Sequence, residues 1–526
     1  MKTKHILLGL SLGLLGGFTA CDVTDLDPKD SITDNSYWNT VSDLENYAKG
    51  FYMNLTGKGL RSDGSENLDD LNALDERSDD RLVASPDQWL FNEWVIPSEA
   101  NFDSKWYWNN IRNLNYFMTR YQRVNATESE VNPVVAVIRF FRAFDYFDKI
   151  KTFGDVPWYE KDLTTADIDE LYKARDDRDF VLGKIIEDLE FAIEWLPEKS
   201  AAEVGALHKD AARTFLARVC LHYGTYKKYH NVSTSPTSQE LLQKAATLAK
   251  EVMDSGLYDI VQGSDAGANQ SAFADYPLYY ANQFTQEDLT TNKECILARV
   301  FEADVLTHNL ARSGGVGLSK DFAESFLCKD GLPIANSSEY KGDETLDDEM
   351  ANRDPRMYQI IDSKYRPYTV KSNGMRVVNS GIDDKKEFSP SEEPGTNVHS
   401  APGLTGTATG YSPIKLVSAS QSQQDAVKTS SYDWFVFRYA EILLIYAEAK
   451  CELGECTQAV LDETINKLRD RVEMKHLTVS PVADLNPVDY GYSITPLLYE
   501  IRRERRIELA LEGFRYDDKV GGQAVL

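Results

Sequence analysis

A chain of 526 residues, 42% of them hydrophobic, is long enough to bury one large core or to form two to three domains. Its 84 acidic against 57 basic residues give a formal charge of −27, which makes a surface that repels phosphate backbones. No Lys/Arg cluster interleaved with aromatics offsets that charge, so the composition argues against nucleic acid as a partner.

The first element is an export signal over residues 1–20. Lys2 and Lys4 form a basic start, Ile6 to Phe18 an apolar run, and Thr19 and Ala20 a small-residue cleavage site before Cys21. The run is too short to span about 30 Å of hydrocarbon, so it reads as a removed signal and not as a transmembrane helix. Cysteine directly after the cut points to a bacterial lipoprotein, with Cys21 as the acylated N-terminus. Loss of Lys2 and Lys4 moves the formal charge of the mature chain to −29. Residues 21–36 are acidic, contain Pro28 and lack periodicity; they read as a flexible tether.

From Val41 onward the dominant pattern is helical. Val137, Phe140, Phe141, Phe144, Phe147 and Ile150 recur at three- and four-residue spacing, and Gly154 and Pro157 then stop the helix. Further helices are expected over about Phe180–Leu196, His208–Tyr223 with a stop at Gly224, and Gln239–Asp254 with a stop at Gly256. The last two form a small-and-large pair of tetratricopeptide character. A similar pair is expected over Phe437–Leu453 and Thr457–Val472, followed by a helix over Thr495–Leu511.

The stretch 262–431 differs, being rich in Gly, Ser, Asn, Asp and Tyr, with short apolar runs such as Cys295–Phe301. It reads as irregular loops with a few short strands. The fold class is therefore mainly α: a tetratricopeptide-like helical-pair scaffold carrying a loop-rich region, with regions 37–261, 262–431 and 432–526. Pairs at separated places suggest repeat-like packing and not a regular solenoid.

Catalytic and metal patterns are sparse. The seven histidines show no paired metal spacing, and H-E-x-x-H, C-x-x-C, the phosphate-cradling glycine loop and G-x-S-x-G are all missing. Ser338 to Lys341 matches S-x-x-K without its partner motifs. Asp63, Ser65, Asn67 and Asp69 alternate like calcium ligands, but Leu68 and Leu74 stand where Gly and Glu belong, so a solvated loop is expected. Neither metal nor cofactor is expected. Five scattered cysteines after Cys21 read as free thiols. Carboxylate pairs for glycoside hydrolysis could be drawn anywhere among 84 acids, which makes any one pair uninformative. In Glu500–Glu508, acids and arginines alternate at four-residue spacing, and a buried structural ion network is the expected outcome.

Several segments together resemble one family. Arg139-Phe140-Phe141-Arg142-Ala143-Phe144-Asp145-Tyr146-Phe147 with Phe153-Gly154-Asp155-Val156-Pro157 is one. Others are Arg438-Tyr439-Ala440-Glu441 through Ala449, Glu504-Arg505-Arg506-Ile507-Glu508-Leu509-Ala510 with Glu512-Gly513, Arg353-Asp354-Pro355-Arg356, and Asp330-Gly331 with Pro333. Over nearly its whole length the chain resembles the SusD/RagB family of outer-membrane nutrient-binding lipoproteins. The resemblance implies tetratricopeptide-like units carrying an irregular ligand-binding face, on a lipid-anchored protein at the cell outer membrane that faces outside. It implies capture of an oligosaccharide ligand, or of peptides in some members, for a SusC-like TonB-dependent transporter, by binding and not catalysis. Asp22, Asp25 and Asp27 suit the family's surface-export signal. The chain stops at Leu526, soon after Glu512 to Asp518, where family members continue, so a truncated C-terminal region is expected.

Glycan binding needs exposed rings over apolar sugar faces, flanked by hydrogen-bonding groups. Rings dense among polar and turn-forming residues are Trp89 and Trp94 in Gln88–Trp94, and Tyr276, Tyr279 and Tyr280 in Tyr276–Phe284; these five are the expected ligand contacts. A peptide-capturing member of the same fold, a lipid-anchored glycoside hydrolase and a pure helical scaffold are the alternatives.

Overall fold

The computed structural model describes residues 34–55, 75, 78–82, 106–262, 276–308, 317–367, 369–379, 385–388, 409–424 and 429–521. The phenylalanine stripe lies on the longest helix. It runs Glu128–Phe153, opened by a capping box between Thr127 and Glu130 and closed by Gly154 at φ 71°. Taking the main helices in chain order, α1 is Val41–Lys49, α2 Asn109–Met118, α3 Glu128–Phe153, α4 Arg178–Trp195, α5 Lys209–Tyr229 and α6 Ser238–Asp254. The C-terminal set is α7 Tyr439–Glu452, α8 Gln458–Glu463, α9 Ile465–Arg471, α10 Pro496–Glu508 and α11 Arg515–Gly521.

These helices pack in succession: α2 on α3, α3 on α4, α4 on α5, α5 on α6, α6 on α7, and α7 on α10. Ala211, Ala212 and Ala217 of α5 and Ala245, Ala246 and Ala249 of α6 are buried, so small side chains let the pair approach closely. Arg218 of α5 then clamps Glu441 of α7 in a two-pronged contact of 2.6 and 2.8 Å. Regions 37–261 and 432–521 thus share one helical core.

Strands among the described residues are few and short. They are β1 Arg81–Leu82, β2 Cys295–Arg299, β3 Gly317–Leu318, β4 Thr369–Val370, β5 Arg376–Asn379, β6 Lys385–Phe388 and β7 Trp434–Arg438. The antiparallel pair β2–β7 is the seam between two cores. Ile296, Leu297 and Phe437 pack into the helical core, whereas Cys295, Ala298, Trp434 and Phe435 pack into a second core built by the loop-rich region.

Four boundaries differ from expectation. The tether gives way to structure before residue 36: the chain is helical over Asp34–Tyr37, and Asp34 accepts from Trp38, Tyr116 and Arg120 at 3.0, 2.6 and 2.7 Å. Gly224 does not stop α5, which continues to Tyr229; its missing Cβ is what admits Leu242 of α6. Phe437 belongs to β7 and not to the helix after it. The helix expected over Thr457–Val472 breaks at Thr464, whose φ of −128° and ψ of −93° are not helical. Cys220, Cys295 and Cys328 are buried free thiols, and Cys451 and Cys456 are half-buried and free.

The Arg/Glu segment forms the expected ion network. Glu508 accepts from Arg356, Arg438 and Arg471 at 2.9, 2.8 and 2.6 Å, all four side chains buried. Arg438 also reaches Glu512, and Arg469 reaches Glu504 at 2.8 Å. This network lies beside the β2–β7 seam, since Arg438 ends β7 and Glu294, which accepts from Arg471 at 2.7 Å, immediately precedes β2.

Candidate functional site

Trp106-Tyr107-Trp108 leads into α2, and the loop between α3 and α4 folds across it. Local bonds fix that loop. Val156 bridges Asp176, whose carboxylate accepts from the Trp158 amide at 2.7 Å, and Lys173 donates to both Asp176 and the Trp158 carbonyl at 2.7 Å. The Tyr159 amide donates to the Tyr146 hydroxyl at 2.8 Å, and the buried Asn115 amide donates to the Tyr159 carbonyl at 2.7 Å. Arg112 of α2 donates to the Leu163 carbonyl at 3.3 Å. A segment held from both α2 and α3 presents its side chains in one arrangement.

The result is a cleft of about 440 Å³ with three aromatic walls. The Trp106 and Trp108 centroids are 5.2 Å apart at 80°, and those of Trp108 and Tyr159 are 5.5 Å apart at 76°. All three rings are half-buried. Cations sit over them: Arg175 4.9 Å from the Trp106 centroid, Lys149 5.0 Å from Trp108, and Lys173 5.2 Å from Tyr159. Burial, reinforced by Glu170 and Asp176, pushes the Tyr159 phenol above its ordinary pKa, so it stays a neutral donor. No Asp or Glu is among the described residues lining this cleft. Two larger grooves, of about 660 and 720 Å³, run along α6, but Tyr446 is the one ring among their described lining residues. Rings and convergent polar groups together mark the Trp106 cleft as the ligand-binding candidate.

The expected ligand contacts fare differently. Trp89, Trp94 and the lipidation candidate Cys21 lie outside the described residues, as does the acidic stretch from Asp63 to Asp69. Tyr276 and Tyr279 are half-buried. Tyr276 stacks on Tyr365 with centroids 3.9 Å apart and planes at 9°, and meets Tyr358 edge-on at 5.1 Å. Tyr280 is a correction. It has no exposed surface, its hydroxyl donates to the Glu508 carbonyl at 2.6 Å, and its amide donates to Gln359 at 3.0 Å. A ring so enclosed supports the ion network and offers no face to a ligand.

Sequence reasoning missed Trp106, Trp108 and Tyr159. The available signal was two tryptophans in three residues at the mouth of a helix; Tyr159 comes from the loop behind the next one. Among the described residues no group of His, Cys, Asp and Glu is arranged to hold a metal ion, and no helix is long and apolar enough to cross a membrane.

Comparison with known proteins assigns this architecture. A family model described as "SusD family" matches residues 263–520, and one described as "Starch-binding associating with outer membrane" matches residues 27–221. The chain belongs to the SusD family. SusD-like protein P2 of Formosa agariphila is 23% identical to it across 98% of this chain and 90% of its own length. A SusD-like carbohydrate binding protein from Bacteroides fragilis superimposes with a TM-score of 0.65 at 23% identity, covering 92% of this chain and 86% of its own. A second SusD-like protein from that organism gives 0.64 at 23% identity, covering 93% and 88%. At these identities the superpositions establish the SusD fold and leave the ligand to be argued from the site.

Proposed function

We propose that this chain is a surface-exposed lipoprotein, anchored through Cys21 at the outer membrane, that captures oligosaccharides and delivers them to a SusC-like TonB-dependent transporter. It binds and does not cleave. The observation that carries the reading is the Trp106–Trp108–Tyr159 cleft, where rings and fixed polar groups converge in one recess. Sugar rings present apolar C–H faces that stack on such aromatics, while their hydroxyls need polar groups at the rim. The wording of the matched family model and of the Bacteroides fragilis relative points the same way. Half-buried Tyr276 and Tyr279, with Trp89 and Trp94, remain proposed as further contacts.

Glycan and peptide arrays probed with the purified chain, followed by chromatography of the eluted ligand, test this reading. Binding of a glycan recovered intact is expected, at micromolar to millimolar affinity, about −8 to −4 kcal/mol. Cleaved sugar would make the protein a hydrolase, and peptide binding alone would move it to peptide capture. Outer membranes solubilised from cells expressing a tagged chain should yield the transporter as a co-purifying barrel.

A further inference from the structure

The Trp106 cleft is cationic in an acidic protein. Arg112, Lys161, Lys173 and Arg175 line it, and no Asp or Glu does among the described residues, although acids outnumber bases 84 to 57 in the chain. Two of the four cations are already neutralised: Lys161 by Asp167 at 2.9 Å and Lys173 by Asp176 at 2.7 Å. Arg112 and Arg175 are not. Their polar contacts are to carbonyls, Leu163 at 3.3 Å and Asp155 at 3.5 Å, and among the described residues neither guanidinium lies within ion-pair distance of a carboxylate. Both residues are exposed. By contrast, Arg218 ends on Glu441 and Arg515 on Asp79.

We propose that the sugar taken by this cleft is anionic, bearing a carboxylate or a sulfate ester. The inference rests on the capture reading above and names its substrate class. The rings hold the apolar faces of the sugar, and Arg112 and Arg175 hold its oxyanion. A guanidinium offers a planar fork of N–H donors that matches both carboxylate and sulfate oxygens, and it gives up its hydration more readily than an ammonium. Arg175 serves both parts of the recess, since it also lies over Trp106. Among the described lining residues no carboxylate competes with an oxyanion arriving there.

The test is calorimetric titration of the purified chain with length-matched neutral, uronate-containing and sulfated oligosaccharides, at low and at high salt. At least one anionic ligand should bind tenfold or more tightly than its neutral counterpart and weaken as salt rises. Whether the uronate or the sulfate shows the gain identifies the oxyanion. Arg112→Gln and Arg175→Gln, checked for folding by circular dichroism, should each lose about tenfold for that ligand and clearly less for the neutral one, so that the preference for the anionic ligand shrinks. Equal or tighter binding of neutral sugar, or unchanged anionic affinity in both variants, would overturn the anionic assignment while leaving glycan capture standing. Absence of all glycan binding by the folded chain would overturn both.

Discussion

Arg471 places one guanidinium nitrogen 2.6 and 2.7 Å from the two carboxylate oxygens of Glu508, and neither side chain exposes any surface. Burial by itself would raise the pKa of Glu508. Arg471, Arg438 and Arg356 outweigh it and hold the carboxyl well below the usual carboxylate range. Removing the charge of Glu508 would leave three buried cations short of a partner.

Glu508→Gln is therefore expected to destabilise the fold by roughly 3–5 kcal/mol, because breaking a buried pair strands uncompensated charge. Urea unfolding followed by circular dichroism measures it. A change below about 1 kcal/mol would mean that water or rearrangement satisfies the three arginines.

A second prediction concerns acid. Burial, against the hydrogen bond to the Tyr432 carbonyl, pulls the His308 imidazole down to about 4. The folded form stays neutral while the unfolded form takes a proton near its ordinary pKa of about 6.5. This residue's contribution is complete above pH 6.5 and is lost as pH falls toward 4, a drop on the order of 3 kcal/mol. His308→Gln should flatten that part of the stability–pH curve, measured as the urea midpoint from pH 7 to pH 4. An unchanged slope would show that His308 titrates near its ordinary value in the folded state.

Packing supplies a third. A Cβ added at Gly224 would lie 2.8 Å from the Leu242 Cγ and 3.3 Å from the Leu242 backbone nitrogen. Alanine has the better helix propensity, by about 1 kcal/mol, but the α5–α6 contact cannot admit the methyl without shifting. A net loss on the order of 1–2 kcal/mol is expected for Gly224→Ala. A stabilised variant would mean that the two helices part easily.

The stacked helices were legible because their apolar residues recur at three and four positions, as Phe140, Phe144 and Phe147 do. Their ends were less so. Gly224 has the form of a stop signal, and only its neighbour on α6 shows why glycine is needed inside a helix. The run Trp434 to Phe437 is short and wholly apolar, a pattern that strand and helix share, and pairing with Cys295–Arg299 decides it. At the site, Tyr280 stands among polar and turn-forming neighbours like an exposed ring. Its partners, Glu508 and Gln359, are 228 and 79 residues away. Tyr159 shows the converse: it joins Trp108 because Asn115 and Tyr146 hold its loop, a relation no local pattern carries.

Each wall of the cleft can be removed separately. Trp106→Ala and Tyr159→Ala should each weaken glycan binding by roughly tenfold, with the melting temperature little altered because both rings are only half-buried. Phe153, which meets Trp106 edge-on at 4.8 Å, keeps that part of the recess filled from behind.

The most direct test of the account is calorimetric titration of the wild-type chain and the Trp106→Ala/Tyr159→Ala double variant with the glycan that the array identifies. The account predicts saturable binding of intact sugar by the wild type and a loss of about a hundredfold in the folded double variant. Equal affinity in the two proteins would contradict it, placing the ligand on another surface of the fold.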